Sequence, residues 1–442
     1  GVKTDEIIRR IDPAKLADFY IQKDINDWYP LDNAAKIYPL AMNHSWMSMF
    51  RLSVYLKSDI IPEVLQMALN FTIKRFPYLA TTLKKGFFWH YLDGVTSRFR
   101  VKIERRLPCS KINVSRNGVA PFRVRYYKNR ISIEFFHILT DGSGGMLFLK
   151  TLAGEYLRLL GENIPNTEGS FDIGEDSHPA EVQNDFLMAD KSLSAGGFTE
   201  KQPLHIRGCR TLEQPNQILH FEMDADLLRK TAQSFGTTVT TLMVAVMAYA
   251  VKESNKGRKV RPNKPINIQV PVNMRKFYPT KSLRNFSMYC VIRIPAADAE
   301  DLKKLIQDVG SQLAFGSSKE ELDKTMTMAN KLVDSLQYIP LFLKRIGVRI
   351  IYGFLGESVL SSTLSNLGVV QTSSEMAEHI DKFDFVLGTP IRSRAVCSMI
   401  TFNNKAVFSI NKATRNSSFE MSILEQIRNL GIPVKLYGSK LI

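Results

Sequence analysis

The chain has 442 residues, of which 44% are hydrophobic and 23% are charged, a balance that is typical of folded globular proteins and excludes a disordered chain. Its length exceeds one ordinary hydrophobic core, so two or three domains are expected. The four cysteines, Cys109, Cys209, Cys290 and Cys397, have no paired spacing. This spacing argues against a zinc site or a disulfide scaffold, so no metal is expected, and it favours a reducing compartment.

The net charge of +16 suits an anionic partner, such as nucleic acid, an anionic membrane or a phosphorylated small molecule. The basic residues are scattered, without zinc-finger spacing, an RNP-like aromatic motif or a dense Lys/Arg block. No nucleic-acid partner is therefore expected, and a basic surface without a specific role is the alternative. No apolar run reaches about 18 residues, so no transmembrane segment is predicted. The N-terminal residues do not resemble a signal peptide, which predicts a cytoplasmic location and leaves peripheral membrane contact open.

The first part of the chain is predicted to form a sheet with helices. A brief helix is expected at 13–21, a strand at 46–56, and a helix at 62–75, where Pro62 suits the first turn. Further strands are predicted at 79–83, 87–92, 97–103, 122–127 and 131–136.

The last of these strands ends at His137, and a glycine-containing turn leads from it into a helix. Asp141 and Gly142 lie within that turn, and the helical pattern is clear from Met146 onward. Such a loop lets backbone approach a ligand, and a helix start offers free N–H groups. Because Asp-Gly is also an ordinary turn pair, the spacing alone leaves a functional and a purely structural interpretation open.

The second half repeats the mixture of strands and helices after a segment rich in Gly, Ser, Asn and Pro. Strands are predicted at 216–221, 265–272, 288–294, 363–371, 384–387, 395–402 and 405–410. Helices are predicted from 225 and at 242–251, 302–315, 319–336, 340–355 and 418–430. The fold class is therefore predicted to be α/β, with an N-terminal lobe at 1–161, a crossover at 162–215 and a C-terminal lobe at 216–442, each lobe a mixed sheet flanked by helices.

Five segments spread over most of the chain form an ordered set of motifs. They are 75–79 (RFPYL), 137–142 (HILTDG), 271–275 with 283–286 (PVNMR and LRNF), 364–368 (LSNLG) and 384–388 (DFVLG). Each is weak alone, but in this order they resemble the HxxxD acyltransferase superfamily, which includes chloramphenicol acetyltransferase, peptide-synthetase condensation domains, BAHD enzymes and alcohol acetyltransferases. Phe136 stands where condensation domains carry a first histidine, and Val386 and Leu387 replace the Gly-Trp of the plant motif. The resemblance is therefore closest to bacterial alcohol acetyltransferase-like proteins.

The resemblance implies two chloramphenicol-acetyltransferase-like lobes with a channel between them, and transfer of an acyl group, in the first instance acetyl, from acyl-CoA to a hydroxyl or amine. It implies that His137 is the general base, without a covalent acyl-enzyme or a permanently bound cofactor. Asp141, Gly142, Arg275 and Asp384 are then expected to position the loop and strands. Candidates for stabilising the developing oxyanion are Ser365, Asn366 and the backbone at 142–145.

The resemblance also predicts partners for the two aspartates. Asp141 is expected to turn away from His137 and pair with an arginine, for which Arg51 is the suggested residue, while Asp384 is expected to pair with Arg275 within the second lobe. Cations near the later strands are candidates for contact with the phosphates of CoA or with an acidic carrier; they are Arg392, Arg394, Lys405 and Lys412.

Alternatives remain open at this point. The donor can be an acyl carrier protein instead of CoA, or the chain can be a non-catalytic member of the fold that binds a ligand or partner. His44 is a minor candidate for a pocket residue, and the other histidines are expected to be structural. The predicted helix at 340–355 is expected to pack between the lobes, with a channel wall or a membrane contact as alternatives.

Overall fold

The computed structural model describes residues 28–42, 47–95, 99–105, 107–116, 118–166, 169–189, 202–209, 217–344, 359–390 and 393–438. The predicted helix at 13–21, His44, Arg392 and most of the predicted helix at 340–355 lie outside these residues. Of that last helix, residues 341–344 are described and are helical.

Up to residue 159 the strands and helices follow the order that the sequence predicts, with two additional short elements near the start. They are β1 (Trp28–Pro30), α1 (Tyr38–Ala41), β2 (Met49–Leu56), α2 (Pro62–Arg75), β3 (Thr81–Lys85), β4 (His90–Gly94), β5 (Lys102–Ile103), β6 (Phe122–Tyr127), β7 (Arg130–Phe136) and α3 (Gly142–Leu159).

The later elements also match the predicted order, except that a short helix and a last strand were not predicted. They are β8 (Gln217–Asp224), α4 (Ala225–Ser234), α5 (Val239–Glu253), β9 (Pro265–Asn273), β10 (Ser287–Pro295), α6 (Leu302–Gly316), α7 (Lys319–Ser335), β11 (Ser362–Val369), α8 (Ser374–His379), β12 (Ile380–Leu387), β13 (Ala395–Phe402), β14 (Lys405–Lys412), α9 (Ser418–Asn429) and β15 (Lys435–Gly438).

Two mixed sheets form the two lobes, as the fold class predicts. The first has the order β12-β2-β7-β6-β5 and the second β10-β9-β11-β13-β14-β8-β15, while β1, β4 and β3 form a small separate sheet. Each large sheet contributes to its own hydrophobic core. In the second core, α5 packs against α6 and α9, and its buried run from Leu242 to Ala248 confirms the helix that the sequence predicts to be apolar all round.

One strand crosses from the later chain into the first sheet. β12 pairs antiparallel with β2, so that Asp384 lies opposite Ser53 and Phe385 opposite Leu52. The expectation that Asp384 ties together the second lobe is therefore wrong. Its strand belongs to the first sheet, which also contains β7, the strand that His137 follows. The lobe boundaries at residues 161 and 216 stay a prediction.

Helix starts follow from local capping. Asp224, Thr238 and Asp141 each accept a backbone N–H in the first turn of α4, α5 and α3, respectively. Pro62 opens α2, where its missing N–H has no cost. Among the described residues no single helix has the length and apolar composition to cross a bilayer; the bent pair of α4 and α5 meets that test only jointly.

Candidate active site

His137 follows the last residue of β7 and lies where the two lobes meet. Its backbone N–H donates to the Ser48 carbonyl oxygen at 2.9 Å, which continues the pairing of β7 with the β2 side by one residue. The imidazole is half-buried between two aromatic rings, with ring centroids 5.2 Å from Tyr38 and 4.8 Å from Phe50. The strand end, the short helix α1 and strand β2 therefore fix the position of the ring.

Asn285, from the segment before β10, determines which imidazole nitrogen carries the proton. One atom of its amide lies 3.0 Å from Asp32 Oδ2 and 2.8 Å from the His137 carbonyl oxygen. Both neighbours are acceptors, so that this atom is the NH2 group, and the amide oxygen faces His137 Nδ1 at 2.9 Å. In neutral His137 the proton must then be on Nδ1, which leaves the lone pair on Nε2.

The surroundings of His137 favour its neutral form. Burial lowers the pKa of His137, and the hydrogen bond to Asn285 and the negative charge of Asp141 offset only part of this effect. The imidazole is therefore uncharged at neutral pH, and its Nε2 can accept a proton.

Asp32 is fully buried and holds Asn285 in this orientation. Its Oδ1 accepts the Ala35 N–H at 2.7 Å, and its Oδ2 accepts from Asn285. Burial raises the pKa of Asp32, while these hydrogen bonds and the nearby Arg284 charge oppose that rise. Asp32, Asn285 and His137 thus form a chain of hydrogen bonds that crosses from one lobe to the other.

The Asp141 carboxylate joins the two lobes and makes no hydrogen bond to His137 among the described contacts. Its Oδ1 accepts the N–H groups of Ser143 and Gly144, at 3.1 and 3.2 Å, and so caps α3. Its Oδ2 accepts from Arg275 Nη1 at 2.7 Å and from the Phe286 N–H at 2.9 Å. Burial alone would raise the pKa of Asp141, but the Arg275 charge and these hydrogen bonds outweigh it and lower the pKa.

Both predicted aspartate–arginine pairs are wrong, although Asp141 does pair with an arginine. Arg51 lies opposite Glu134 in the β2–β7 register and binds Glu104 at 2.5 and 2.8 Å, so that its charge is already matched. Asp384 accepts from the Tyr55 hydroxyl at 2.7 Å, two residues along β2 from its own pairing position. Arg275, assigned to Asp384 from the sequence, binds Asp141 instead.

The glycines after Asp141 permit close contact between the lobes. A Cβ at Gly144 would collide with the Leu283 carbonyl oxygen and the Thr140 hydroxyl, which are themselves joined by a 2.5 Å hydrogen bond. A Cβ at Gly142 would lie 2.5 Å from Leu367 Cδ2, the far end of a flexible side chain of β11.

The backbone donors of this turn are largely committed. Ser143 and Gly144 donate to the Asp141 side chain, and Gly145 donates to the Asp141 carbonyl oxygen at 2.9 Å. Three of the four N–H groups at 142–145 that the sequence offers for an oxyanion therefore hold the loop instead.

Ser365 and Asn366 lie on β11, close to Leu367, which contacts Gly142. The Asn366 amide donates to Thr240 Oγ1 at 3.0 Å and accepts the Gly368 N–H at 2.9 Å, so that it joins β11 to the start of α5. Ser365 is half-buried and lies opposite Ser398 in the parallel pair of β11 and β13. An oxyanion role for either residue stays a prediction.

A cavity of about 780 Å³ opens at the start of α3. Both lobes line it, through Gly142, Lys150, Arg275, Lys281 and Leu367 among others, and His137 is not a lining residue. Lys150 Nζ donates to the Gln371 carbonyl oxygen at 3.0 Å, and burial lowers the pKa of Lys150.

The later cations suggested for the donor phosphates are less suitable than the sequence implies. Lys412 is buried and forms an ion pair with Glu420, and Lys405 pairs with Asp381. Arg394 Nε lies 3.4 Å from the Gly208 carbonyl oxygen. Lys412 is therefore unsuited to contact a donor, because its charge is neutralised inside the lobe.

Comparison with known proteins shows the fold. No established family profile matches the chain. Two uncharacterized proteins of Mycobacterium tuberculosis, MT2362 and Rv2305, are each 26% identical over 189 residues, which are 40% of this chain and 42% of theirs. The chain thus spans less than half the length of these curated relatives.

Solved structures match over nearly the whole chain at low sequence identity. The TRI3 trichothecene 15-O-acetyltransferase of Fusarium sporotrichioides is 12% identical with a TM-score of 0.62, covering 91% of this chain and 94% of its own. TRI101 of F. graminearum, complexed with coenzyme A and T-2 mycotoxin, is 11% identical with a TM-score of 0.63 and coverages of 92% and 99%. The first condensation domain of the calcium-dependent antibiotic synthetase is 12% identical with a TM-score of 0.59 and coverages of 92% and 96%. The chain has the two-lobed fold of these acetyltransferases and condensation domains.

Sequence reasoning located the His137 loop but missed the residues that hold the imidazole. Asn285 belongs to the motif segment LRNF at 283–286 but had no predicted role, and no role was predicted for Asp32 or Tyr38. A polar residue in that motif was the available signal for Asn285. Nothing local marks Asp32 and Tyr38, because Asp32 meets Asn285 only when the lobes pack, and Tyr38 meets His137 only through the tertiary fold of the first lobe.

Proposed function

We propose that this protein transfers an acyl group, in the first instance acetyl, from a CoA thioester to a hydroxyl or amine, with His137 as the general base. The observation that carries the proposal is the amide of Asn285, whose three contacts orient it so that neutral His137 has its lone pair on Nε2. A histidine with a lowered pKa and a defined tautomer is suited to accept a proton at neutral pH.

The proton and the electrons move in two steps in this proposal. The acceptor oxygen or nitrogen forms a bond to the thioester carbonyl carbon while its proton passes to His137 Nε2. The carbon–sulfur bond then breaks, and the leaving thiolate takes the proton from the imidazolium. No covalent acyl-enzyme is needed, and general base catalysis of this kind contributes about 10²–10⁴ in rate.

The cross-lobe contacts support a positioning role for the other predicted residues. Asp141, capping α3 and bound to Arg275, keeps the His137 loop at a fixed distance from the second lobe. Gly142 admits Leu367 of β11 beside the loop. Asp384 acts further away, through the β12–β2 pairing that supports the first sheet.

The donor is proposed to reach this junction through the cavity at the start of α3. Lys150 and Lys281 line it, and the net charge of +16 favours a donor that carries phosphate groups. TRI101, which has the same fold, binds coenzyme A in its solved complex. An acylated carrier protein carries the same thioester chemistry and is the alternative donor.

The test is release of free thiol from acetyl-CoA in the presence of a panel of alcohols and amines. We expect His137→Ala to lose about 10²–10⁴ of the transfer rate and to melt close to the wild-type temperature, because the ring is half-buried and makes few hydrogen bonds. His379→Ala is the matched control. Like His137, His379 is a half-buried histidine, but it lies in α8 and contacts Glu162.

Three results would count against the proposal. A His137→Ala protein that keeps most of its rate would refute the base assignment. Transfer from an acylated carrier protein without any transfer from acetyl-CoA would assign the donor differently, and absence of transfer from either donor would favour a ligand-binding role.

A further inference from the structure

Six large apolar side chains form an exposed group, here called the aromatic patch. Its members are 37% to 80% exposed, and they are Phe87, Phe88, Tyr338, Ile339, Phe342 and Leu343. They come from the turn between β3 and β4 and from the chain that follows α7. Exposed apolar residues that occur singly are ordinary, whereas a contiguous exposed apolar patch marks an interaction surface.

Hydrogen bonds join the two segments of the aromatic patch. The Leu341 N–H donates to the Phe87 carbonyl oxygen at 2.9 Å, and Lys344 Nζ donates to the Phe88 carbonyl oxygen at 2.7 Å. The Phe87 and Phe88 rings contact each other edge to face, with centroids 4.8 Å apart. The patch is therefore one surface rather than two separate loop tips.

The helical turn at residues 341–344 has its polarity reversed. Leu341 and Lys344 are buried, and the Lys344 ammonium lies 3.4 Å from the centre of the Trp89 ring. Phe342 and Leu343, on the outer side of the same turn, are 68% and 49% exposed. A surface turn in water normally exposes its lysine and buries its phenylalanine. The observed arrangement presents apolar groups outward, as a surface facing an apolar phase does.

The charge around the aromatic patch is positive. Segment 84–90 contains two lysines, Lys84 and Lys85, and no carboxylate, whereas Lys344 is buried and bound to the Phe88 carbonyl oxygen. Lys36 adds a further cation, 5.5 Å from the Trp89 ring, and Asp334 partly offsets its charge. The chain as a whole carries a net charge of +16. Aromatic side chains surrounded by lysines complement an anionic lipid surface, in which the rings enter the headgroup region and the lysines meet the phosphates.

We propose that the aromatic patch docks this protein on the surface of an anionic phospholipid bilayer. A bilayer accepts projecting side chains without requiring a complementary shape, whereas two copies of the chain would bring like charges together. The proposal does not depend on the acyl-transfer activity.

The docking surface is connected to the candidate active site through α1. Leu341 packs against Leu40 in a small buried cluster, and Tyr38 of the same helix contacts the His137 ring. A membrane-bound protein would thus hold its His137 region next to the lipid surface, which suits an acceptor or acyl chain that partitions into lipid.

The experiment is co-sedimentation of the full chain with vesicles of phosphatidylcholine alone and of equal parts phosphatidylglycerol and phosphatidylcholine. We expect binding to the anionic vesicles and a loss of about tenfold or more in the partition coefficient for Phe87→Ser/Phe342→Ser. Lys85→Gln should lose about fivefold on the anionic vesicles. Phe315→Ser is the matched control, because Phe315 is 67% exposed and lies at the end of α6, outside the aromatic patch.

Three outcomes would overturn the proposal. One is the absence of wild-type binding to either vesicle. Another is equal loss of binding in Phe315→Ser. The third is a concentration-dependent dimer that Phe342→Ser abolishes, without vesicle binding, which would identify a second copy as the occupant. Melting curves of each variant exclude unfolding as the cause.

Discussion

Replacement of Asn285 by alanine tests the link between the second lobe and the tautomer of His137. The amide provides one hydrogen bond to His137 Nδ1, one to the His137 carbonyl oxygen and one to Asp32. Without it, the proton of neutral His137 is free to reside on Nε2, where it blocks the lone pair that the proposed mechanism needs. Asn285 does not touch the reacting atoms in this proposal, so it is a positioning residue.

The expected size of the effect follows from the bonds lost. A neutral hydrogen bond contributes about 0.5–1.5 kcal/mol net, which corresponds to a fall in kcat of up to about tenfold. The buried Asp32 carboxylate and the His137 carbonyl oxygen lose a donor, which should lower the free energy of unfolding by about 1–3 kcal/mol. Because the bond to Asn285 raises the pKa of His137, its loss should move the acid limb of the kcat/KM profile to lower pH.

The assay is thiol release from acetyl-CoA across pH, with the best acceptor of the panel, together with urea unfolding. Asn33→Ala is the matched control, since Asn33 is a buried asparagine nearby that bonds to Asn330 and Asn184. It should lose stability while keeping kcat and the acid limb. The reasoning would be refuted if Asn285→Ala kept the wild-type kcat and acid limb, or if Asn33→Ala reproduced both changes.

Two further substitutions test the bridge between the lobes. Arg275→Ala leaves the Asp141 carboxylate buried without its cation, so we expect the free energy of unfolding in urea to fall by about 3 kcal/mol. The double variant Arg275→Ala/Asp141→Asn should recover part of that loss. Equal stability of the single and double variants would contradict this. Gly144→Ala should destabilise by about 1–3 kcal/mol, because its Cβ meets the Leu283 carbonyl oxygen, whereas Gly142→Ala should cost less, because the Leu367 side chain can move. Melting temperatures of the two alanine variants compare these costs directly, and a Gly142→Ala protein as unstable as Gly144→Ala would be the contrary result.

The sequence was a reliable guide where structure depends on neighbours along the chain. The bounds of α2 were predicted at both ends, since Pro62 opens the helix and its apolar pattern continues to Arg75. The strand before His137 was predicted from alternation between polar and apolar residues. The helix after it was recognised from Met146, four residues late, because the glycines of its first turn hide a start that Asp141 sets by capping.

The partners of charged groups were not predictable in the same way. Asp141 and Arg275 are 134 residues apart, and their contact exists only because the lobes pack against each other. Arg51 was a reasonable candidate partner for Asp141 by its position on the first long strand. Its guanidinium instead forms ion pairs with Glu104 and Glu134, and no local sequence pattern predicts them. The role of Asn285 was hidden for the same reason: it depends on a contact with Asp32, 253 residues away.

The place of β12 has a consequence for how the chain can be divided. β2 pairs with β7 on one side and with β12 on the other, so that a fragment ending at the crossover would leave β2 as an open sheet edge. Open apolar edges promote aggregation. During synthesis, the first sheet is completed only after residue 387 has emerged. Separate expression of the two halves should therefore give a soluble protein only when both halves are made in the same cell.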